Sequence, residues 1–191
     1  MNLFANTVLL PIDMQRAFDV KPWPRRWNNS VDKNGLAILA AWRKAQLPII
    51  HVRHDSVQTN STLGSGTQGN QFRLGFEPLE GEPVVSKSVN SAFIGTDLDL
   101  RLRRMGAAKI FTFGISTDMC VSTTIRTGSN MGWKLDLIED ACDCFDLPHP
   151  SGGVIAARDV HAAHVATLGF EFCDVTSTAK VLAALAETTL A

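Results

Sequence analysis

Lys109-Ile-Phe-Thr-Phe-Gly114-Ile-Ser-Thr117-Asp-Met-Cys120-Val-Ser-Thr-Thr-Ile-Arg126 is an apolar run, then a turn of small and polar residues, then the opening of a helix. The three pieces in that order describe a buried parallel strand feeding the helix that follows it. Thr117 or Asp118 stands where a helix cap is expected, and the helical pattern ends near 128–132. The turn places Cys120 beside the helix start. Backbone N–H groups are unpaired there and carry partial positive charge, so a thiolate is expected below its free pKa of about 8.5. The same N–H groups can hold an oxyanion. A cysteine acting only as a small buried hydrophobe suits the position equally well, so position alone assigns no chemistry.

Strand and helix patterns alternate on both sides of this stretch. Strands are expected at 7–12, 47–52, 83–86, 108–113, 133–138 and 170–174, and helices at 31–45, 96–105, 154–168 and 176–187 besides the one after Cys120. That alternation predicts one α/β domain, a doubly wound six-stranded parallel sheet with helices on both faces. Asp13 follows the first strand, either as a carboxylate at the ligand-binding edge of the sheet or as a turn-former or cap. Segment 15–29 carries Phe18, Trp23 and Trp27 with Pro22 and Pro24, so it is not one regular helix. Its aromatics either wall a pocket or plug the loop onto the core. Segment 57–82, rich in Gly, Ser, Thr, Asn and Gln, is read as a lid, a binding loop or a subunit contact. The third strand delivers Lys87 into a loop that ends at Phe93.

Composition narrows the function. A chain of 191 residues with 45% hydrophobic and 19% charged residues suits one buried core. A net charge of −1 without a long basic run argues against nucleic acid or an anionic membrane surface as the main partner, and favours a small-molecule substrate. The first residues lack a basic n-region and a long apolar h-region, and no apolar run approaches the roughly 20 residues of a membrane span, so a cytoplasmic protein is expected. Four cysteines without a secretory signal do not make a disulfide framework. Cys142-Asp143-Cys144 has no second Cys or His pair at structural-zinc spacing, so neither a metal nor another cofactor is expected.

Asp13, Lys87 and Cys120 thus stand at the C-terminal ends of three expected parallel strands. An ammonium lowers a thiol's pKa, and a carboxylate can carry the thiol proton to a leaving group. A Gly-x-Gly-x-x-Gly turn after the first strand and a phosphate loop are both missing, which ranks nucleotide binding low.

Leu10-Pro-Ile-Asp13-Met-Gln15-Arg-Ala-Phe18, then Lys87 with Ser91-Ala-Phe93 and Gly95-Thr-Asp97-Leu98, then Gly114-Ile-Ser-Thr117-Asp-Met-Cys120-Val121 resemble, in order and spacing, the three motifs of the isochorismatase-like cysteine hydrolases. That superfamily includes nicotinamidases and N-carbamoylsarcosine amidase. The resemblance implies Cys120 as nucleophile, Asp13 as general base and later acid, and Lys87 as the residue that orients and charges the pair. It implies a cis peptide before Ser116, an oxyanion hole from the Ser116 and Cys120 N–H groups, and hydrolysis of an amide-type C–N bond through a thioester. It also implies a homo-oligomer, a dimer or tetramer. Phe18, Trp27, His54, Phe93 and Thr117 are the expected substrate contacts; for His54, and for its neighbour Arg53, a solvated or supporting role stands as the alternative.

Two departures bear on activity. Nicotinamidases of this family hold a metal through an Asp-x-His element after the second strand plus a later histidine, whereas this chain reads His51-Val-Arg-His54-Asp55-Ser-Val57 with no further histidine before His149. Isochorismatases proper do not need the cysteine. A metal-independent cysteine amidohydrolase is therefore expected, with a non-catalytic binding protein or a nicotinamidase as alternatives. His161 and His164, on a helix among alanines, are expected to be structural. Pro11 puts the pairing of the first strand in question, because proline cannot donate to a ladder.

Overall fold

The computed structural model describes residues 4–189, through the backbone alone at 188 and 189. Its strands are β1 (Thr7–Ile12), β2 (His51–His54), β3 (Val84–Lys87), β4 (Lys109–Gly114), β5 (Lys134–Ile138), β6 (Leu147–Pro148), β7 (Val154–Ile155) and β8 (Asp174–Thr176). Its α-helices are α1 (Val31–Lys44), α2 (Leu98–Arg104), α3 (Ser122–Asn130), α4 (Ala157–Glu171) and α5 (Thr178–Thr189). Six strands form one parallel sheet in the order β3-β2-β1-β4-β5-β8, and β6 and β7 make a small antiparallel ribbon apart from it. Helices α1 and α5 pack together on one face of the sheet, α3 and α4 on the other. Among the described residues no helix is long and apolar enough to cross a membrane.

The two central strands explain themselves. Every residue of β1 is buried, as are all but the first of β4, because neighbours and helices cover both faces. On one face Trp42 of α1 fills the space between Phe4 and Phe111, with ring centroids 5.3 Å from each. Strand order runs outward one way from β1 and the other way from β4, so the sheet's switch point lies between their C-terminal ends, where open α/β sheets bind ligands.

Pro11 proves compatible with its central place. Along β1 the odd-numbered amides face β2: Leu9 donates to the Pro48 carbonyl and Asp13 to that of Val52, each at 3.0 Å. The missing Pro11 donor falls between them, while pairing with β4 is continuous from Thr7 to Ile12. Gly114 ends β4 at a φ of 146°, and a Cβ there would stand 2.0 Å from the Ile12 carbonyl oxygen, so only glycine lets the chain pass β1 at this point.

Several boundaries differ from the sequence expectation. The sixth sheet strand is Asp174–Thr176 rather than 170–174, since α4 runs on through Glu171 and leaves Phe170 exposed on its surface. Val154 and Ile155 belong to the ribbon, and α4 starts only at Ala157, whose N–H donates to Asp146 Oδ1 at 2.8 Å. Helix α5 starts at Thr178, where Asp140 Oδ1 accepts from both the amide, at 2.7 Å, and the hydroxyl, at 2.8 Å. Both starts are set by aspartates distant in sequence, which a local pattern does not contain. The second strand pairs at 51–54 rather than 47–52, with Ile49 joined to Leu9 by a single bridge.

Candidate active site

Three strand ends deliver the central cluster. Asp13 follows β1 with a φ of 52°, a left-handed turn that aspartate tolerates better than most residues, and Lys87 is the last residue of β3. Cys120 lies in a π-helical turn, Thr117–Val121, between β4 and α3. The Lys87 ammonium donates to Asp13 Oδ2 at 2.7 Å, to His54 Nδ1 at 3.0 Å and to Cys120 Sγ at 3.3 Å. An ammonium has three hydrogens and no acceptor, so Lys87 is saturated and His54 must present the lone pair of Nδ1. The His54 proton therefore sits on Nε2. Asp13 Oδ1 is buried without a hydrogen-bond partner among the described residues.

The protonation pattern differs from the sequence expectation at Cys120. Burial pushes the thiol up, the Asp13 carboxylate adds to that, and Lys87 opposes both without overcoming them. No side chain caps the turn, and Thr117 and Asp118 do not serve as its cap. Cys120 thus rests as a thiol rather than as the helix-stabilised thiolate expected above. Burial disfavours the Lys87 charge, but Asp13 and the Cys120 sulfur outweigh it and hold the ammonium above its ordinary value. For His54, burial and then Lys87 lower the pKa against the pull of Asp13 and Asp55, leaving a neutral imidazole at pH 7.

Above the cluster lies a cavity of about 180 Å³. Phe18, Trp23 and Leu63 form its apolar side; His54, Ser116 and Cys120 lie at its base; Ser56, Gln58, Ser61 and Asn90 supply uncharged polar groups, with Met119 beside them. The peptide bond Ile115–Ser116 is cis, and the Ser116 N–H makes no hydrogen bond among the described residues. Of the expected substrate contacts, Phe18 and His54 line the cavity. Trp27 lies outside it against His161, ring centroids 5.2 Å apart. Phe93 is buried against Gly128 of α3. Thr117 is wholly buried, its hydroxyl 2.9 Å from His161 Nδ1 and 3.2 Å from the Asp143 carbonyl. Arg53 turns aside to Asp55 and Ser86.

Other residues hold the site beyond the expected catalytic and substrate contacts. Gln15, fully buried, accepts the His54 N–H through Oε1 at 2.9 Å and donates Nε2 to the carbonyls of His54 and Asn70. Asn70 donates to the His54 carbonyl and to Asp55 Oδ1. An ion-pair chain, Asp143–Arg26–Asp19–Arg73–Asp32, ties the aromatic segment to the long loop and to α1. Trp23 stacks on Phe145 and donates Nε1 to Thr62 of the long loop at 3.2 Å. The available signals were Gln15's place in the first motif, Trp23's among the aromatics of 15–29 and the polar richness of 57–82, none of which marks which side chains point inward.

The ligand-type atoms of Asp13, His54 and Cys120 lie within 4.8 Å of one another, yet they converge on the Lys87 ammonium. His51 is buried against Glu82 at 2.8 Å, and Asp55 is held by Arg53 and Asn70. These residues do not fit a resident metal ion: one cation already fills the seat, and the flanking candidates are committed elsewhere.

The fold and site together are those of a parallel α/β sheet that gathers a cysteine, a carboxylate and an ammonium beyond the C-terminal ends of its strands. Residues 7–179 match the model of the isochorismatase domain, and the chain belongs to the isochorismatase family of hydrolases. An uncharacterised isochorismatase-family protein of Bacillus subtilis strain 168, YrdC, is 32% identical over 91% of this chain and 93% of its own. The crystal structure of an isochorismatase-family protein from Chromobacterium violaceum superposes with a TM-score of 0.91 at 41% identity, covering 95% of this chain and 94% of that one. A cysteine hydrolase from Pseudomonas syringae superposes with a TM-score of 0.86 at 26% identity, covering 96% and 93%.

Proposed function

We propose that the protein is a metal-independent cysteine amidohydrolase cleaving the C–N bond of a small carboxamide, ureido or carbamoyl compound. The observation that carries this reading is the Lys87 ammonium, which draws Asp13 and Cys120 to one point while leaving Asp13 Oδ1 free to take a proton. Asp13 Oδ1 removes the Sγ proton as sulfur attacks the carbonyl carbon, and the carbonyl π electrons move to oxygen. The Ser116 and Cys120 N–H groups donate to that oxyanion. Collapse re-forms the carbonyl and expels the amine, which takes the proton from Asp13 and leaves a thioester on Cys120. Water then attacks the thioester and gives a proton to Asp13, and the C–S bond breaks as the thiol is restored. A thiol that keeps its proton until substrate arrives suits this sequence, since proton removal is coupled to attack.

Phe18 and His54 contact the substrate in this reading, and His54 Nε2–H donates to it. Trp27, Phe93 and Thr117 act at one remove, by packing the walls and the turn. A cytoplasmic homo-oligomer is the setting we propose, in keeping with four free thiols. The test is ammonia release over a panel of small amides by wild type and Cys120→Ala. Turnover in the wild type alone supports the mechanism, and equal turnover by both proteins contradicts it.

A further inference from the structure

We propose that the cavity selects uncharged amides and rejects any substrate bearing a carboxylate near the scissile bond. The inference rests on the amidohydrolase reading for its chemistry, but the selectivity follows from where the charges lie. Lys87 touches two of the residues that line the cavity, and all three of its hydrogens are already spent on Asp13, His54 and Cys120. Its charge is matched by Asp13, both side chains being wholly buried. His54 is held neutral.

Four arginines on the surrounding segments are held by partners of their own, and the exposed Lys21 and Arg25 of the aromatic segment do not line the cavity. Arg53 is paired with Asp55, Arg73 with Asp19 and Asp32, and Arg26 with Asp19 and Asp143. Arg16 donates to the Phe72 carbonyl and to Gln71. Among the described residues no lysine, arginine, aspartate or glutamate lines the cavity itself. What lines it is apolar on the side of Phe18, Trp23 and Leu63, and elsewhere uncharged: amides and hydroxyls, the Met119 thioether, the Cys120 thiol and the His54 imidazole. A carboxylate placed there would be removed from water with no cation to receive it, which strongly opposes binding. At about 180 Å³ the cavity is also below the usual size of drug-sized ligand pockets, so the body beyond the carbonyl is small.

The test uses pairs that keep the scissile amide and differ in the charge beside it, malonamide with malonamate and succinamide with succinamate, titrated calorimetrically at pH 7 into Cys120→Ala protein so that nothing turns over. The expected result is that each amide binds about 100-fold or more tightly than its acid. Gln58→Arg, which adds a cation on the exposed rim, narrows that ratio. Acids binding as tightly as their amides, no binding of either amide at millimolar concentration, or a ratio unmoved by Gln58→Arg would each overturn the proposal. A preserved amide preference without ammonia release by the wild type would instead overturn the hydrolase reading alone.

Discussion

The chemistry of single residues here depends on which partner carries the proton. Asp13, Lys87 and Cys120 were legible because Asp13 and Lys87 follow apolar runs directly and Cys120 follows one across a short turn, and that is a local property of the sequence. Their protonation was not legible, because the burial that raises the Cys120 thiol comes from loops far along the chain. The placement of Trp27, Phe93 and Thr117 was equally beyond a local reading, since an aromatic or hydroxyl beside a motif gives no direction to its side chain. A counterintuitive outcome follows for Asp13→Asn. Removing the carboxylate takes away a charge that raises the thiol pKa and leaves Lys87 to lower it, so Cys120 should be alkylated faster by iodoacetamide at pH 7 than in the wild type. Amide turnover should fall about 10²- to 10⁴-fold in the same protein, because the proposed proton carrier is gone. Lys87→Met should slow alkylation. Slower alkylation of Asp13→Asn would show that the thiol pKa is not set as described.

At the level of elements, the strand–helix alternation and the central strands were readable from apolar runs, whereas helix starts and the sixth strand were displaced. The reason is the same at both displaced helices: α4 and α5 begin where Asp146 and Asp140 accept their first amides, and neither aspartate is adjacent to the helix it starts. Asp146→Ala should therefore cost about 1 kcal/mol, as loss of an N-terminal cap does. In a chain of this size that lowers the thermal midpoint by roughly 2–4 °C, readable by circular dichroism. Asp146→Asn should recover most of it, and an unchanged midpoint in Asp146→Ala would remove the proposed cap. The ion-pair chain through Arg26 and Arg73 is likewise a contact between segments, and it is what turns the aromatic segment from a loop of undecided role into a wall of the cavity.

Across the whole molecule, burial acts on all four thiols in one direction. Cys144 and Cys173 are pushed up to about 12 by burial, and Cys120 and Cys142 are raised further still. From pH 9 upward the unfolded chain sheds thiol protons that the folded chain keeps, so the unfolded state binds fewer protons and stability falls as pH rises. Each fully titrated thiol contributes a slope of about 1.4 kcal/mol per pH unit. The chain has no tyrosine to blur the effect. Urea midpoints should drop steeply between pH 8 and pH 10.5, and a Cys142→Ala/Cys144→Ala protein should show a shallower drop; equal slopes would contradict the account. The central claim is that the three strand ends assemble to acylate Cys120, and the direct measurement is peptide mass spectrometry of acid-quenched enzyme during turnover of an amide it hydrolyses. The account predicts an acyl adduct on the Cys120 peptide that is absent from Cys120→Ala and from enzyme without substrate. Steady turnover with Cys120 unmodified under rapid quench, together with activity retained in Cys120→Ala, would contradict it.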